Sequence, residues 1–170
     1  VSNTSGVADT YNLQASTTAS FAGLTLPAGW SVVFKDAAGT VLTNTGIINA
    51  GATQTVYADV SIPPGAASAT TDLYFRTISP TSLAADRLHA AVQVNAARGI
   101  SLTPSHTGQA YPGGSVVYVH TIANTGNVLE GNGSTSSVAL ASADSQSGFT
   151  STVYWDKNND GVPDAPVPLV

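Results

Sequence analysis

The feature that most restricts what this chain can fold into is a duplication. Val1-Ser2-Asn3-Thr4-Ser5-Gly6-Val7-Ala8-Asp9 aligns without a gap on Ile122-Ala123-Asn124-Thr125-Gly126-Asn127-Val128-Leu129-Glu130. Further along, Gly29-Trp30 leading into Asp36 returns as Gly148-Phe149 leading into Asp156. A period of about 121 residues in a chain of 170 leaves room for one unit and the beginning of another. The second copy has a strand, Ser115 to Thr121, ahead of its Asn-Thr-Gly turn, and the first has no counterpart to it. The second copy in turn stops before any counterpart of 53–62, 72–79 or 88–95. The expected layout is therefore a first unit over 1–97 lacking its N-terminal strand and a second over 100–170 lacking its C-terminal strands. Ala96-Ala97-Arg98-Gly99 forms a short joint, and a longer parent chain is expected.

What the units are made of follows from periodicity. From Gln54 to Ile62, Val56, Ala58, Val60 and Ile62 alternate with Thr55, Tyr57, Asp59 and Ser61, the period of two that gives a strand one buried and one wet face. Pro63-Pro64-Gly65 ends that run. The same alternation runs through Leu73 and Phe75, through Leu88, Ala90, Val92 and Val94, and through Val116, Tyr118, His120 and Ile122. Tyr11–Ala15 and Trp30–Phe34 are shorter strands on either side of Leu26-Pro27-Ala28-Gly29, and Asp36–Thr40 closes a hairpin onto Val41-Leu42. Pro80 to Asp86 is expected to form one helical turn, and Val138–Leu140 and Thr152–Trp155 to be strands of the second unit. Charged residues are only 9% of the chain, and the abundance of Gly, Ser, Thr, Ala and Val disfavours long helices. Short strands, frequent turns and no helical period predict an all-β protein, two tandem immunoglobulin-like antiparallel β-sandwich units.

Composition also excludes function classes. With no cysteine there is no disulfide, thiolate metal site or thiol nucleophile. A net charge of −5, with Lys35, Arg76, Arg87, Arg98 and Lys157 dispersed, gives no basic footprint for nucleic acid. No apolar run reaches the roughly 20 residues that span a bilayer. Low charge with abundant Ser and Thr points to an extracellular, cell-surface location.

One stretch combines spacing with ligand chemistry. Asp156-Lys157-Asn158-Asn159-Asp160-Gly161-Val162-Pro163-Asp164 places side-chain oxygens at positions one, three, five and nine, with glycine at six, as the front of a calcium loop does. Asp156, Asn158 and Asp160 would bind through side chains, Val162 through its carbonyl, and Asp164 directly or through water. Oxygen donors of this kind suit Ca²⁺ rather than a metal that seeks nitrogen or sulfur. The twelfth position is Val167, which cannot supply the usual bidentate carboxylate, so binding on the order of 10⁻⁴ to 10⁻³ M is expected. Glu130 and Asp144 are candidates for the missing ligand if the fold brings them near. The competing reading is a metal-free turn, because Asn, Asp and Gly serve those equally. In the first unit Asp36 is followed by Ala37-Ala38-Gly39, so that hairpin closes without metal.

Taken together, Asn3-Thr4 and Asn124-Thr125-Gly126, Leu26-Pro27-Ala28-Gly29-Trp30, and Asp156 to Asp164 resemble bacterial cell-surface immunoglobulin-like repeat domains. In such domains a strand ending in Asn-Thr-Gly is paired with an Asp-rich hairpin, as in surface-layer and adhesin-like proteins. The resemblance implies a secreted, non-enzymatic structural or adhesive module that binds Ca²⁺. Its partners would be other copies of itself or neighbouring surface proteins, joined through open strand edges. Gly29-Trp30 is also similar to sandwich modules appended to secreted glycosidases. The alternative is therefore a carbohydrate-binding or accessory module with a glycan partner, using Trp155 beside Tyr57, Tyr74 or Tyr111.

The remaining residues read as structural. His89, His106 and His120 share no ligand spacing, and His120 falls in a strand's apolar phase, as a hydrogen-bonded core residue would. Trp30 and Phe149 occupy equivalent positions and read as core, whereas Trp155 corresponds to Lys35 and reads as exposed. No serine sits in a nucleophile context, and Glu130 is the only glutamate, so neither acyl transfer nor glycoside hydrolysis is expected. Asn3-Thr4-Ser5 and Asn132-Gly133-Ser134 fit the glycosylation sequon.

Overall fold

The computed structural model describes residues 1–131 and 136–164. The chain is all-β, with no helix among the described residues, and it divides into two compact units, Val1–Ala96 and Ala97–Val170.

The first unit holds seven strands: β1 (Asp9–Ser16), β2 (Ser31–Lys35), β3 (Val41–Leu42), β4 (Asn44–Ile48), β5 (Tyr57–Ser61), β6 (Thr70–Ile78) and β7 (Ala85–Gln93). They form a four-stranded sheet in the order β4-β1-β6-β7 and a three-stranded sheet in the order β3-β2-β5, and every pairing is antiparallel. Phe34 of one sheet meets Phe75 of the other edge-to-face, ring centroids 6.1 Å apart, which makes the unit sandwich-like. Tyr11, Ile48 and Leu73 form the buried apolar centre, and Phe21, in the loop that follows β1, is buried as well.

Most strand expectations match these elements, and the departures have local causes. Over Pro80 to Asp86 there is a turn at 80–82 and no helix: Leu83 N–H bonds Ser79 O and Ser79 N–H bonds Ala84 O, which closes the hairpin into β7 instead. The alternation of 54–62 becomes the edge strand β5, so Ala58 and Ile62 stay exposed although their phase is apolar. Trp30 is only half-buried, contrary to the core reading. Strand β4 carries no alternation because Gly46 adopts φ 66° and the β1–β4 register shifts between Thr10 and Asn12; Thr45 and Ile48, three apart, are the residues buried.

In the second unit the described ladder is β8 (Ile100–Thr103) against β9 (Thr121–Asn124). The expected strand from Ser115 is thus paired only from Thr121 onward. Its two faces still differ: Val116, Tyr118 and Ile122 are 40, 44 and 41% exposed, against 83 and 51% for Val117 and Val119. Val138–Leu140 and Thr152–Trp155 lie in no ladder among the described residues. The return arm expected at Val167–Val170 lies outside them. Phe149, read as core, is 67% exposed, because the described residues of this unit assemble no second sheet to cover it.

The duplication reappears in hydrogen bonds. In the first turn the Asn3 Nδ2 donates to Val7 O at 2.8 Å, and its Oδ1 accepts the Ser5 N–H at 3.0 Å. In the second the Asn124 Nδ2 donates to Val128 O at 2.7 Å, and its Oδ1 accepts the Gly126 N–H at 2.9 Å. The two turns differ in what surrounds them. A Cβ at Gly126 would sit 2.3 Å from Ala97 O, so only glycine fits where the turn meets the segment 97–99 that leads into β8. At the matching place in the first unit Ser5 carries a side chain, whose hydroxyl donates to Asn3 Oδ1 at 2.7 Å.

Asn3 is 1% exposed and fully bonded. Its second amide hydrogen goes to Ile48 O at 2.8 Å, and its Oδ1 also accepts the Tyr11 hydroxyl at 3.1 Å. A sequon asparagine held in this way offers no acceptor nitrogen in the folded protein; the sequon at Asn132 lies outside the described residues. On the other side of β1, Asp9 ties the strand to the β6–β7 turn. Its Oδ1 accepts from Ser79 Oγ at 3.0 Å and from Thr10 N–H at 2.8 Å, and its Oδ2 from Ser82 Oγ at 3.0 Å.

These networks make two predictions. Asn3→Ala removes the buried hydrogen bonds to the Ile48 carbonyl and from the Tyr11 hydroxyl and should cost about 2–3 kcal/mol in urea unfolding, whereas exposed Asn124→Ala should cost under about 1 kcal/mol. The Ser79 hydroxyl, then the Thr10 N–H and the Ser82 hydroxyl, hold the Asp9 carboxyl below the ordinary aspartate range despite some desolvation. A depressed folded value contributes stability that is complete above the unfolded value of about 3.9 and is lost as pH falls through the folded one. Asp9→Asn should therefore flatten the acid side of a plot of urea midpoint against pH, below about pH 4.

Candidate functional site

All five residues read as calcium ligands are linked in one hydrogen-bonded loop, Val162 through its backbone N–H. The loop is closed by Asp164 N–H on Trp155 O at 2.9 Å. Inside it, Asp156 accepts from Asp160 N–H at 3.2 Å and from Gly161 N–H at 2.8 Å. Asn158 Oδ1 also accepts from Asp160 N–H, at 3.1 Å, and its Nδ2 donates to Asp160 Oδ2 at 3.0 Å. Asp160 Oδ1 accepts from Val162 N–H at 2.8 Å. Asp164 Oδ2 accepts from Lys157 N–H at 2.6 Å and from Asn158 N–H at 3.0 Å. Left-handed backbone at Asn159, φ 60°, and Gly161, φ 84°, curls the chain so that its N–H groups face these carboxylates.

The side-chain acceptors are oxygens, the donor type a hard cation takes, and each keeps a second lone pair except Asp164 Oδ2, which already accepts twice. The convergence is not complete: among the described residues no three His, Asp or Glu side chains are grouped closely enough to hold a metal ion as they stand. A cation would have to draw Asp156, Asp160 and Asp164 inward from their N–H partners. Val162 is exposed. The two candidates for an additional ligand are engaged elsewhere, Glu130 with Arg98 Nη1 at 2.8 Å and Asp144 with Ser151 Oγ at 2.5 Å. The sister hairpin uses the same local device with a single carboxylate: Asp36 Oδ1 accepts from Ala38 N–H at 2.9 Å and Thr40 N–H at 2.8 Å, around Gly39 at φ 84°.

The histidines are less scattered than their spacing suggests. His106 and His120 lie with ring centroids 5.1 Å apart, and His106 stacks on Tyr118. His106 Nε2 bonds Val119 O and His120 Nδ1 bonds Pro104 O, each at 2.8 Å. His120 is thus hydrogen-bonded but exposed, not core, because it lies just ahead of β9, outside the described ladder. In the first unit His89 stacks on Tyr74 and bonds Asp72 Oδ1 at 2.8 Å. Trp155 is 52% exposed beside the acidic loop.

Sequence reasoning missed one cluster entirely. Arg76 and Arg87 face each other across β6 and β7 beside Phe21, at an open cavity of about 320 Å³. The signal was present: a turn centred on Thr81-Ser82 makes 76 and 87 register partners, but reading 80–86 as helix hid it. Compared with protein-family models, with curated proteins and with solved structures, the chain matches none. No helix among the described residues is long and apolar enough to cross a membrane.

Proposed function

We propose that this chain is a non-enzymatic structural or adhesive module of a secreted bacterial surface protein. It is built from tandem immunoglobulin-like units that associate with copies of themselves or with neighbouring surface proteins, and it is stiffened by weakly bound Ca²⁺. The observation that carries this reading is the recurrence of one side-chain hydrogen-bond pair at Asn3 and Asn124 in two units of a single chain. A turn rebuilt bond for bond is what a repeat array needs, since each copy must present the same ends to its neighbour. Open edges support assembly: β7 and β4 bound one sheet and β3 and β5 the other, with Ile47 and Leu88 exposed on the outer strands.

Calcium enters through the acidic loop. Asp156, Asn158, Asp160 and Asp164, with the Val162 carbonyl, supply the oxygens, and the cation neutralises carboxylates that are otherwise held by backbone N–H groups and the Asn158 amide. Because the loop already closes through its own bonds, the metal adds rigidity to a formed turn. A thermal melt of the whole chain at millimolar Ca²⁺ against excess chelator should show a higher midpoint with calcium, and Asp160→Ala should abolish the difference while leaving the chelated melt nearly unchanged. Coincident melts of the wild type with and without calcium would remove the metal from this reading.

A further inference from the structure

Five cations serve this acidic chain, and two of them are placed in an unusual way. Arg76 and Arg87 are direct register partners in the antiparallel β6–β7 pair, so their side chains leave the same face of the sheet side by side. Like charges directly opposite each other destabilise a sheet. Elsewhere Lys35 is paired with Asp59 and Arg98 with Glu130. Arg76 and Arg87 form no ion pair with a carboxylate among the described residues.

Both guanidinium groups are nevertheless oriented, and by neutral acceptors. Arg76 donates from Nε at 2.8 Å and Nη2 at 2.6 Å to the side-chain carbonyl of Gln14, its neighbour on β1. Its carbon Cζ lies 4.4 Å over the ring of Phe21. Arg87 donates from Nη1 to the carbonyl of Ala19 at 2.6 Å. A neutral acceptor fixes a guanidinium plane without cancelling its charge, and each group keeps further N–H donors. The loop supplying Phe21 and Ala19 is itself pinned, Ser16 Oγ donating to Gly23 O at 3.0 Å and Thr17 N–H to Thr25 O at 2.9 Å. Phe21 is buried in left-handed backbone, φ 52°, a conformation unfavourable for a bulky residue and retained here with its ring against Arg76.

From this arrangement we infer an oxyanion-binding site on the outer face of the first unit, in the cavity between Phe21, Arg76 and Arg87, that takes the carboxylate or phosphate group of a small ligand. The cavity of about 320 Å³ is at the small end of ligand pockets and has room for a group the size of a sugar acid or sugar phosphate. Two forks of N–H donors suit a carboxylate or phosphate and remove the mutual repulsion of the arginines. Asp86 also lines the cavity and opposes an anion; its Oδ1 accepts the Arg87 N–H at 2.8 Å.

The test is a titration of the whole chain at low ionic strength with inorganic phosphate, glucuronate and glucose, followed by amide shifts around Phe21 and Arg87. Saturable binding of at least one anion is expected, with none of glucose. Tighter binding of glucuronate points to a carboxylate ligand, and tighter binding of phosphate to a phosphorylated one. Arg87→Gln should lose about tenfold in affinity, the loss of one charged hydrogen-bonded partner. Asp86→Asn should bind more tightly, and Arg98→Gln, in the other unit, should be unchanged. Arg76 also supports Phe21, so the exposed Arg87 is the deciding position, with a matching urea midpoint as the check that the variant is folded. Absence of saturable anion binding, equal binding of glucose, or full affinity in folded Arg87→Gln would overturn the site.

Discussion

The first unit depends on a buried amide with every hydrogen-bonding position filled. Asn3 joins its own turn, through Val7 and Ser5, to β4 through Ile48 and to β1 through Tyr11. The backbone around it runs antiparallel to 51–54, with Asn3 N–H on Ala52 O at 2.9 Å and Gly51 N–H on Asn3 O at 2.8 Å. A buried amide is costly unless satisfied, and only one placement of these segments satisfies this one, so the same contacts that offset the cost of burial also specify the fold. Asn124 makes the local half of this network in the second unit and remains exposed.

Carboxylates organise the loops in a similar way. Asp9, Asp36 and Asp156 each gather N–H or O–H donors from residues that would otherwise leave a turn unbonded. In Asp36 this closes a hairpin with no further acidic group. The loop from Asp156 to Asp164 adds two more carboxylates to the same scaffold, Asp160 and Asp164, each bonded to N–H groups within the loop. On the outer face of the four-stranded sheet the balance is reversed: Arg76 and Arg87 stand together with neutral partners in a chain of net charge −5.

Much of the strand pattern could be read from period-two alternation, and its failures are informative. The alternation through Leu73 and Phe75 located β6, which is paired on both sides and carries the buried Leu73 at 0% exposure. The same alternation in β5 and β7 overstated burial, because both are edge strands and Leu88 remains 60% exposed. Strand β4 was invisible because Gly46 breaks its phase. At the acidic loop, the residues that draw together were legible from spacing, since a turn of this length is fixed by local backbone sterics and by N–H groups a few residues away. The engagement of Glu130 with Arg98 was not legible, because that pair is 32 residues apart in the chain.

The sequence alone determined what depends on near neighbours: an all-β chain, most of its strands, a repeated asparagine turn, and an acidic loop rich in oxygen donors. These follow from side-chain alternation and from hydrogen bonds spanning a few residues, which no distant segment needs to supply. Tertiary structure decided which strands lie at an edge, that Asn3 is buried while its repeat Asn124 is not, and that Arg76 and Arg87 share one cavity. Each of these depends on segments brought together from far apart in the chain, and burial and charge are properties of that assembled environment rather than of the residue itself.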